Sequence, residues 1–170
     1  GLMFGEKLDD RNRKYGDDIH GSINRFTFYK NKNGIEGIQF PIVLNADMGY
    51  MPELSDFELL TDRKYGLNGV GNYTLQFLPE LGSITKRNCY EKCQNDGLIA
   101  RAIQFSAKIY LVYTLIYKCE PPNLEKYSQE LSFEDRVKIV VKYTDKYFRY
   151  NLIDKFMFEK YKDALNKPSI

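Results

Sequence analysis

Lys108-Ile-Tyr-Leu-Val-Tyr-Thr-Leu-Ile-Tyr-Lys-Cys119 contains the longest uncharged apolar run of the chain. Seven of the nine residues between its two lysines are β-branched or aromatic. Such side chains lose rotamer freedom in a helix and pack well on a pleated surface. The run is followed by Glu120-Pro121-Pro122, and prolines interrupt both ladders and helices. The composition therefore predicts a central strand over residues 108–119.

The segments on the N-terminal side of this run add a hairpin and leave one ambiguity. Residues 98–107 fit either a strand that continues into the run or a buried helix, because periodicity does not separate the two in a short apolar segment. Two extended runs, residues 23–30 and 35–44, flank an Asn33-Gly34 turn, which is the strongest local signal for a β-hairpin. Pro41 in the second run indicates a sheet edge or a bulge there.

Helix and strand signals also occur between these runs. Residues 53–65 are predicted to form a helix, because Pro52 suits a first helical position and Gly66 suits a helix end. Residues 72–78 are predicted as a further strand, and a helix is predicted within residues 83–96.

The C-terminal part predicts two helices and completes the expected architecture. Ser132 is a suitable N-cap, and a second apolar stripe begins after a break near Asn151. We therefore predict a single α+β domain, an antiparallel sheet with packed helices and a two-helix C-terminal segment. The expected boundaries are a polar N-terminal arm over 1–22 and a domain over 23–170, with a β-rich part over 23–120 and a helical tail over 130–167.

Composition excludes several classes of function. The 170 residues carry 25 basic and 23 acidic side chains, a net charge of +2, so no nucleic-acid partner is indicated. No apolar run approaches the roughly 20 residues that cross a bilayer, so no membrane span is expected. The first five residues have no long apolar core, and no signal peptide is visible. We expect a soluble protein and assign it no compartment.

One short segment gathers the residue types of an active site. Asp17, Asp18 and the only histidine, His20, lie within four positions of one another. His20 could act as a base oriented by a carboxylate, or the three could contribute to a metal site. Adjacent side chains rarely converge, however, and Asp, Gly and Ser also mark ordinary turns. A small hydrolase or metal-dependent enzyme using these residues is the alternative function.

Three cysteines allow a second kind of site. Cys89 and Cys93 would share one face of a helix, and with Cys119 and His20 they could complete a zinc site. A second close pair and a Cys-x-x-Cys motif are both missing, which favours free thiols or one disulfide. We therefore predict no metal and no cofactor.

Acidic residues cluster between the hairpin and a glycine-containing loop. They could form a hydrolytic pair or a cation site, but no calcium-loop spacing is present. A solvated helix face is the expected interpretation. The residues are Asp47, Glu53, Asp56, Glu58 and Asp62.

The sequence favours an interaction protein over an enzyme. P-loop, triad and metal signatures are missing, whereas 14 tyrosines and 11 phenylalanines supply residues that are common at interfaces. We predict a non-enzymatic interaction or assembly subunit that binds a protein partner or forms a homo-oligomer. Contacts are expected through the N-terminal arm and the outer face of the C-terminal helices, at Tyr143, Tyr150 and Phe158.

Overall fold

The computed structural model describes residues 3–27, 39–119 and 154–165. These ranges contain an antiparallel sheet of four strands together with packed helices, which confirms the predicted α+β class. The strands are β1 (Met3–Leu8), β2 (Gly21–Thr27), β3 (Gln39–Asn45), β4 (Gly49–Tyr50), β5 (Leu67–Asn68) and β6 (Thr74–Leu75). The helices are α1 (Pro52–Arg63), α2 (Cys89–Asn95), α3 (Gly97–Cys119) and α4 (Lys155–Leu165), with a 3-10 turn at Pro79–Leu81.

The main sheet has the order β1-β2-β3-β4, and every neighbouring pair is antiparallel. The predicted hairpin is confirmed, because β2 and β3 pair from Gly21 opposite Asn45 to Thr27 opposite Gln39. Pro41 lies in β3 beyond the end of β4, where that side of the strand needs no ladder donor. The Asn33-Gly34 turn lies outside the described residues.

The largest correction concerns residues 108–119, which continue α3 and do not form a strand. The ambiguity over residues 98–107 is resolved in favour of helix, so one continuous 23-residue helix spans both segments. Its buried side chains recur at helical spacing, as at Ile99, Ala102 and Ile109. Packing of that face outweighs the β-propensity of the composition, which spans only about 1 kcal/mol per residue.

Three further expectations also change. Residues 23–120 contain α1, α2 and α3, so the expected β-rich part is in fact mixed. The strand predicted over residues 72–78 is reduced to β6, which pairs with β5 in a separate two-stranded sheet. The helix expected within residues 83–96 is present as the shorter α2.

The segment that we predicted as a polar arm is folded into the domain in its described part. Residues 3–8 form the edge strand β1, which pairs with β2 over its whole length. Leu8, Tyr15 and Ile19 each bury nearly their whole side chains in the core. A few well-spaced apolar anchors suffice to dock this polar stretch, because each fully buried side chain contributes roughly 1.5–3 kcal/mol.

Helix α1 is fastened along the edge of β3 and positions the residues described below. The helix begins at Pro52, as predicted, and ends before Lys64, which adopts the left-handed conformation. Ser55 Oγ accepts a hydrogen bond from the Val43 amide at 2.8 Å, and the Met51 amide donates to the Val43 carbonyl at 2.9 Å. These contacts cover an otherwise open strand edge.

At the C-terminal end, α4 matches the second of the two predicted helices, whereas residues 120–153 lie outside the described ranges. Within the described residues, no helix combines the length and apolar character needed to cross a membrane.

Candidate functional site

The residues of the predicted catalytic segment are exposed and separately engaged. Asp17 pairs with Arg13 at 3.2 Å and with Arg87 at 3.7 Å. The carbonyl of Asp18 accepts a hydrogen bond from the Asn45 side chain, and the carbonyl of His20 accepts one from the Ala46 amide. Among the described residues, no hydrogen bond or ion pair joins the side chains of Asp17, Asp18 and His20. The structure thus shows a turn anchored through its backbone, and the enzymatic alternative stays a prediction.

The two cysteines of α2 are free and buried, and they share one helix face as expected. A hydrogen bond with Cys93, together with burial, raises the pKa of the Cys89 thiol far above its usual range. The described part of the chain contains no group of three or more His, Cys, Asp or Glu side chains that could hold a metal ion. The side chain of Cys119 lies outside the described set.

Of the three predicted interface residues, the structure describes only one. Tyr143 and Tyr150 lie outside the described ranges. Phe158 on α4 is half-buried and packs against the core. Its neighbour Asp154 accepts two hydrogen bonds from Arg101, both at 2.8 Å, which fastens the start of α4 to α3.

The expected solvated acidic face contains one carboxylate that is fully enclosed. Glu58 on α1 has no exposed side-chain surface. Its oxygens accept hydrogen bonds from Lys86 Nζ at 2.8 Å, from Arg25 Nη2 at 3.0 Å, from Lys14 Nζ at 3.2 Å and from the Tyr15 hydroxyl. We call these five residues the Glu58 cluster.

Electrostatics keep Glu58 ionised in spite of its burial. Burial alone would raise the pKa of this carboxyl, but hydrogen bonds from Lys86 and Tyr15 and the charges of Lys86 and Lys14 outweigh it and lower the pKa. Burial and the nearby Glu58 charge raise the pKa of Tyr15 well above its usual range, so the phenol remains a donor. The cluster is therefore a set of three charged donors and one neutral donor around one carboxylate.

The outer members of the network balance its charge. Arg25 also pairs with Asp62 at 3.1 Å and Lys14 with Glu6 at 3.6 Å, so three cations face three carboxylates. A shallow groove of about 180 Å³ opens beside Arg25 and Asp62, which is below the size of usual small-molecule sites. The arrangement joins four chain segments, and among the described residues its three cations are balanced by three carboxylates.

The clearest outward-facing feature is an apolar patch at the β3–β4 turn, which we call the tip patch. Leu44 and Tyr50 lie opposite each other across the strand pair, on the same face of the sheet. The exposed fractions of Leu44, Met48 and Tyr50 are 36%, 52% and 55%. The Tyr90 hydroxyl from α2 donates to Met48 Sδ at 3.4 Å and completes the patch.

The turn that carries the tip patch is held by specific bonds. Asn45 Oδ1 accepts hydrogen bonds from the amides of Asp47 at 2.8 Å and Met48 at 3.2 Å. Gly49 adopts φ +76°, a conformation that glycine reaches without strain. The chain therefore turns sharply and directs Met48 outwards on an ordered support.

Carboxylates lie next to the tip patch. Burial, with the charges of Asp56 and Glu53, raises the pKa of the Tyr50 hydroxyl, which shows that both carboxylates lie near it. Burial raises the pKa of Asp56 itself to about 7, with Lys108 opposing and Glu53 reinforcing the change. Asp47 is exposed in the turn. We call Asp47, Glu53 and Asp56 the acidic rim.

Sequence reasoning missed the burial of Glu58 and the exposure of the tip patch. Glu58 follows Leu54 by one helical turn, so its position on the buried face was visible in the spacing. The partners of Glu58 lie up to 44 positions away and leave no such signal.

Comparison of the chain with protein-family models, with curated proteins and with solved structures finds no significant match.

Proposed function

We propose that this protein is a non-enzymatic interaction subunit that binds a protein partner through the tip patch. The observation that carries the proposal is the exposed cross-strand pair of Leu44 and Tyr50, with the exposed Met48 in the turn that joins their strands. Single exposed apolar side chains are common on protein surfaces, but contiguous ones mark contact sites. Met and Tyr are also residues that interfaces favour.

The support beneath the tip patch suits it to binding. The Asn45 side chain fixes the turn, and the Ser55 and Met51 bonds fix β3 to α1. A surface that is ordered before binding loses less conformational entropy on association. The tip patch is therefore able to present its apolar side chains in one arrangement.

The N-terminal arm and the C-terminal helices were the contact surfaces predicted from the sequence. The N-terminal segment is used in the sheet over its described part, so we move the proposed contact from the expected arm to the tip patch. A contribution from the C-terminal helices at Tyr143 and Tyr150 stays a prediction. A second copy of the chain and a different protein are both possible occupants of the tip patch.

Site-directed photo-crosslinking tests the proposal. A photoreactive residue at position 48 is expected to give one discrete crosslinked species in the source material, and Tyr50→Ala should abolish it. Position 70 is the matched control, because Val70 is 95% exposed on the separate β5–β6 loop. Equal crosslinking from both positions would refute the proposal. Sedimentation velocity of the purified chain then shows whether the occupant is a second copy.

A further inference from the structure

Charged groups around the tip patch specify the chemistry of its occupant. Glu53 lies in the first turn of α1, three positions after Tyr50, Asp56 follows it by one helical turn, and Asp47 is exposed in the turn that carries Met48. An apolar centre with a rim of one sign favours a partner of the opposite sign, because complementary charge speeds encounter and selects among partners.

The nearby cations offset only part of this charge. Lys108 on α3 acts on Asp56, and it is exposed to solvent. Lys7 lies in the same row of the sheet as Leu44, but two strands away. At a strand spacing of about 4.8 Å this places the backbone of Lys7 about 10 Å from that of Leu44. Asp56, whose pKa of about 7 leaves it only partly ionised at neutral pH, is opposed by Lys108, so the negative charge beside the tip patch comes mainly from Asp47 and Glu53.

Given the proposed function, we infer that the tip patch binds a basic segment of a partner protein, in which apolar anchor residues are flanked by lysine or arginine. The anchors contact Leu44, Met48 and Tyr50, while the flanking cations lie against the acidic rim. A partner segment of this composition would bury its apolar side chains. Its charges would stay at the solvent-exposed margin, where ion pairing requires little desolvation.

Three short synthetic peptides test the inference by NMR titration of the full chain. One carries leucines flanked by lysines, one the same leucines flanked by glutamates, and one the lysines with serines in place of leucine. We expect only the first to shift the signals of Leu44, Met48 and Tyr50. Its binding should weaken as NaCl rises from about 0.05 to about 0.3 M, because salt screens exposed charges.

Charge-removing variants provide the second measurement. Asp47→Asn and Glu53→Gln should each weaken binding of the lysine–leucine peptide about three-fold, the usual range for an exposed charge pair. Glu80→Gln is the matched control, because it removes one exposed carboxylate from the 3-10 turn at Pro79–Leu81 and should change nothing.

The outcomes separate this inference from the proposed function. Tyr50-dependent binding of the glutamate–leucine peptide, at equal or higher affinity, would overturn the inference and leave the interaction function standing. If no peptide binds, mass spectrometry of the segment crosslinked from position 48 decides. A basic segment supports the inference, an acidic or uncharged one overturns it, and loss of any discrete crosslink overturns both.

Discussion

Enclosing a carboxylate costs several kcal/mol unless charged donors replace its water, and Glu58 shows how this chain meets that cost. Its two oxygens accept bonds from Lys14, Arg25, Lys86 and Tyr15, so each oxygen accepts two hydrogen bonds. The three cations keep 20 to 33% of their side-chain surface in water, which limits their own desolvation. The anion is buried and the cations are not, and that asymmetry makes the arrangement stable.

Replacing Glu58 by glutamine should therefore be costly. Glu58→Gln leaves three clustered cations without their shared anion, and we expect the free energy of unfolding to fall by about 3–5 kcal/mol. Asp62→Asn is the matched control, because Asp62 bonds the same Arg25 one helical turn later but is partly exposed. It should cost less than about 1 kcal/mol. Urea denaturation followed by circular dichroism measures both, and equal losses would show that burial of Glu58 is unimportant.

The pKa of Glu58 predicts how this stabilisation depends on pH. The folded state lowers the pKa, so the folded protein binds fewer protons at this group than the unfolded chain does. The stabilisation is fully present above the unfolded pKa of about 4.3, and it is lost as pH falls through the folded value. The difference between wild type and Glu58→Gln should thus be constant from about pH 6 to 8 and shrink below about pH 4. A constant difference in urea titrations at pH 3 and pH 7 would contradict this.

The pKa of Asp56 predicts a pH dependence of folding stability that has the opposite sign. Its folded pKa of about 7 lies above the value of 3.8 expected for a free side chain, because burial disfavours the charged form. Between these values the folded state binds more protons, so this group makes the protein less stable as pH rises. Asp56→Asn should raise the melting temperature at pH 8, and the gain should vanish towards pH 4. Melting curves across this range test it, and a gain independent of pH would be inconsistent with the raised pKa.

At the scale of elements, short sequence motifs predicted the elements that depend on neighbouring residues. The hairpin of β2 and β3 was predictable from an Asn-Gly dipeptide between two extended runs, and α1 from Pro52 at its start. The run at 108–119 failed as a predictor because β-branched composition describes how a side chain packs, not which backbone carries it. Its helical state follows from continuity with residues 97–107, whose buried face packs against α1 and α2.

The pairing of β2 with β3 yields a sharp test at Gly21. A Cβ atom at this position would lie 1.8 Å from the Leu44 carbonyl oxygen, so the strands would have to separate. We expect Gly21→Ala to lower the free energy of unfolding by about 1–3 kcal/mol, as overpacking does elsewhere. Gly97→Ala is the control, because a Cβ there meets nothing within 4 Å and alanine favours helix. If the two variants are equally stable in urea, β2 and β3 do not approach each other this closely at Gly21.

At the scale of the whole molecule, the Glu58 cluster connects segments that the sequence keeps apart. It joins the N-terminal segment, β2, α1 and the loop before α2 at one carboxylate. The candidate contact surface lies on the β3–β4 turn. The fold class was predictable because it follows from periodicity and turns. The Glu58 cluster was not, because it depends on contacts between residues up to 44 positions apart. The tip patch lies between Leu44 and Tyr50, but its exposure depends on which parts of β3 and β4 the rest of the chain covers.

The Glu58 cluster also makes the N-terminal residues part of the folded domain. An arm could be removed without harm, but residues 1–20 supply β1, the buried side chains of Leu8, Tyr15 and Ile19, and two of the four donors to Glu58. We therefore expect the chain that begins at Gly21 to lose its dispersed NMR spectrum at 25 °C. Removal of Gly1 and Leu2 alone keeps β1 whole and serves as the control.

Adding the missing segment back separates loss of these contacts from a general defect of the truncated chain. A synthetic peptide of residues 1–20 should restore the spectrum of the truncated protein in a saturable manner, because β1 pairs with β2 along its length and Tyr15 reaches Glu58. The same peptide with Tyr15→Phe and Lys14→Met should restore it with at least about ten-fold lower affinity, since about 1.4 kcal/mol corresponds to that factor. A truncated chain that stays folded without any peptide would return residues 1–20 to the role of a dispensable arm. Equal rescue by both peptides would show that strand pairing alone holds this segment, without help from the buried carboxylate.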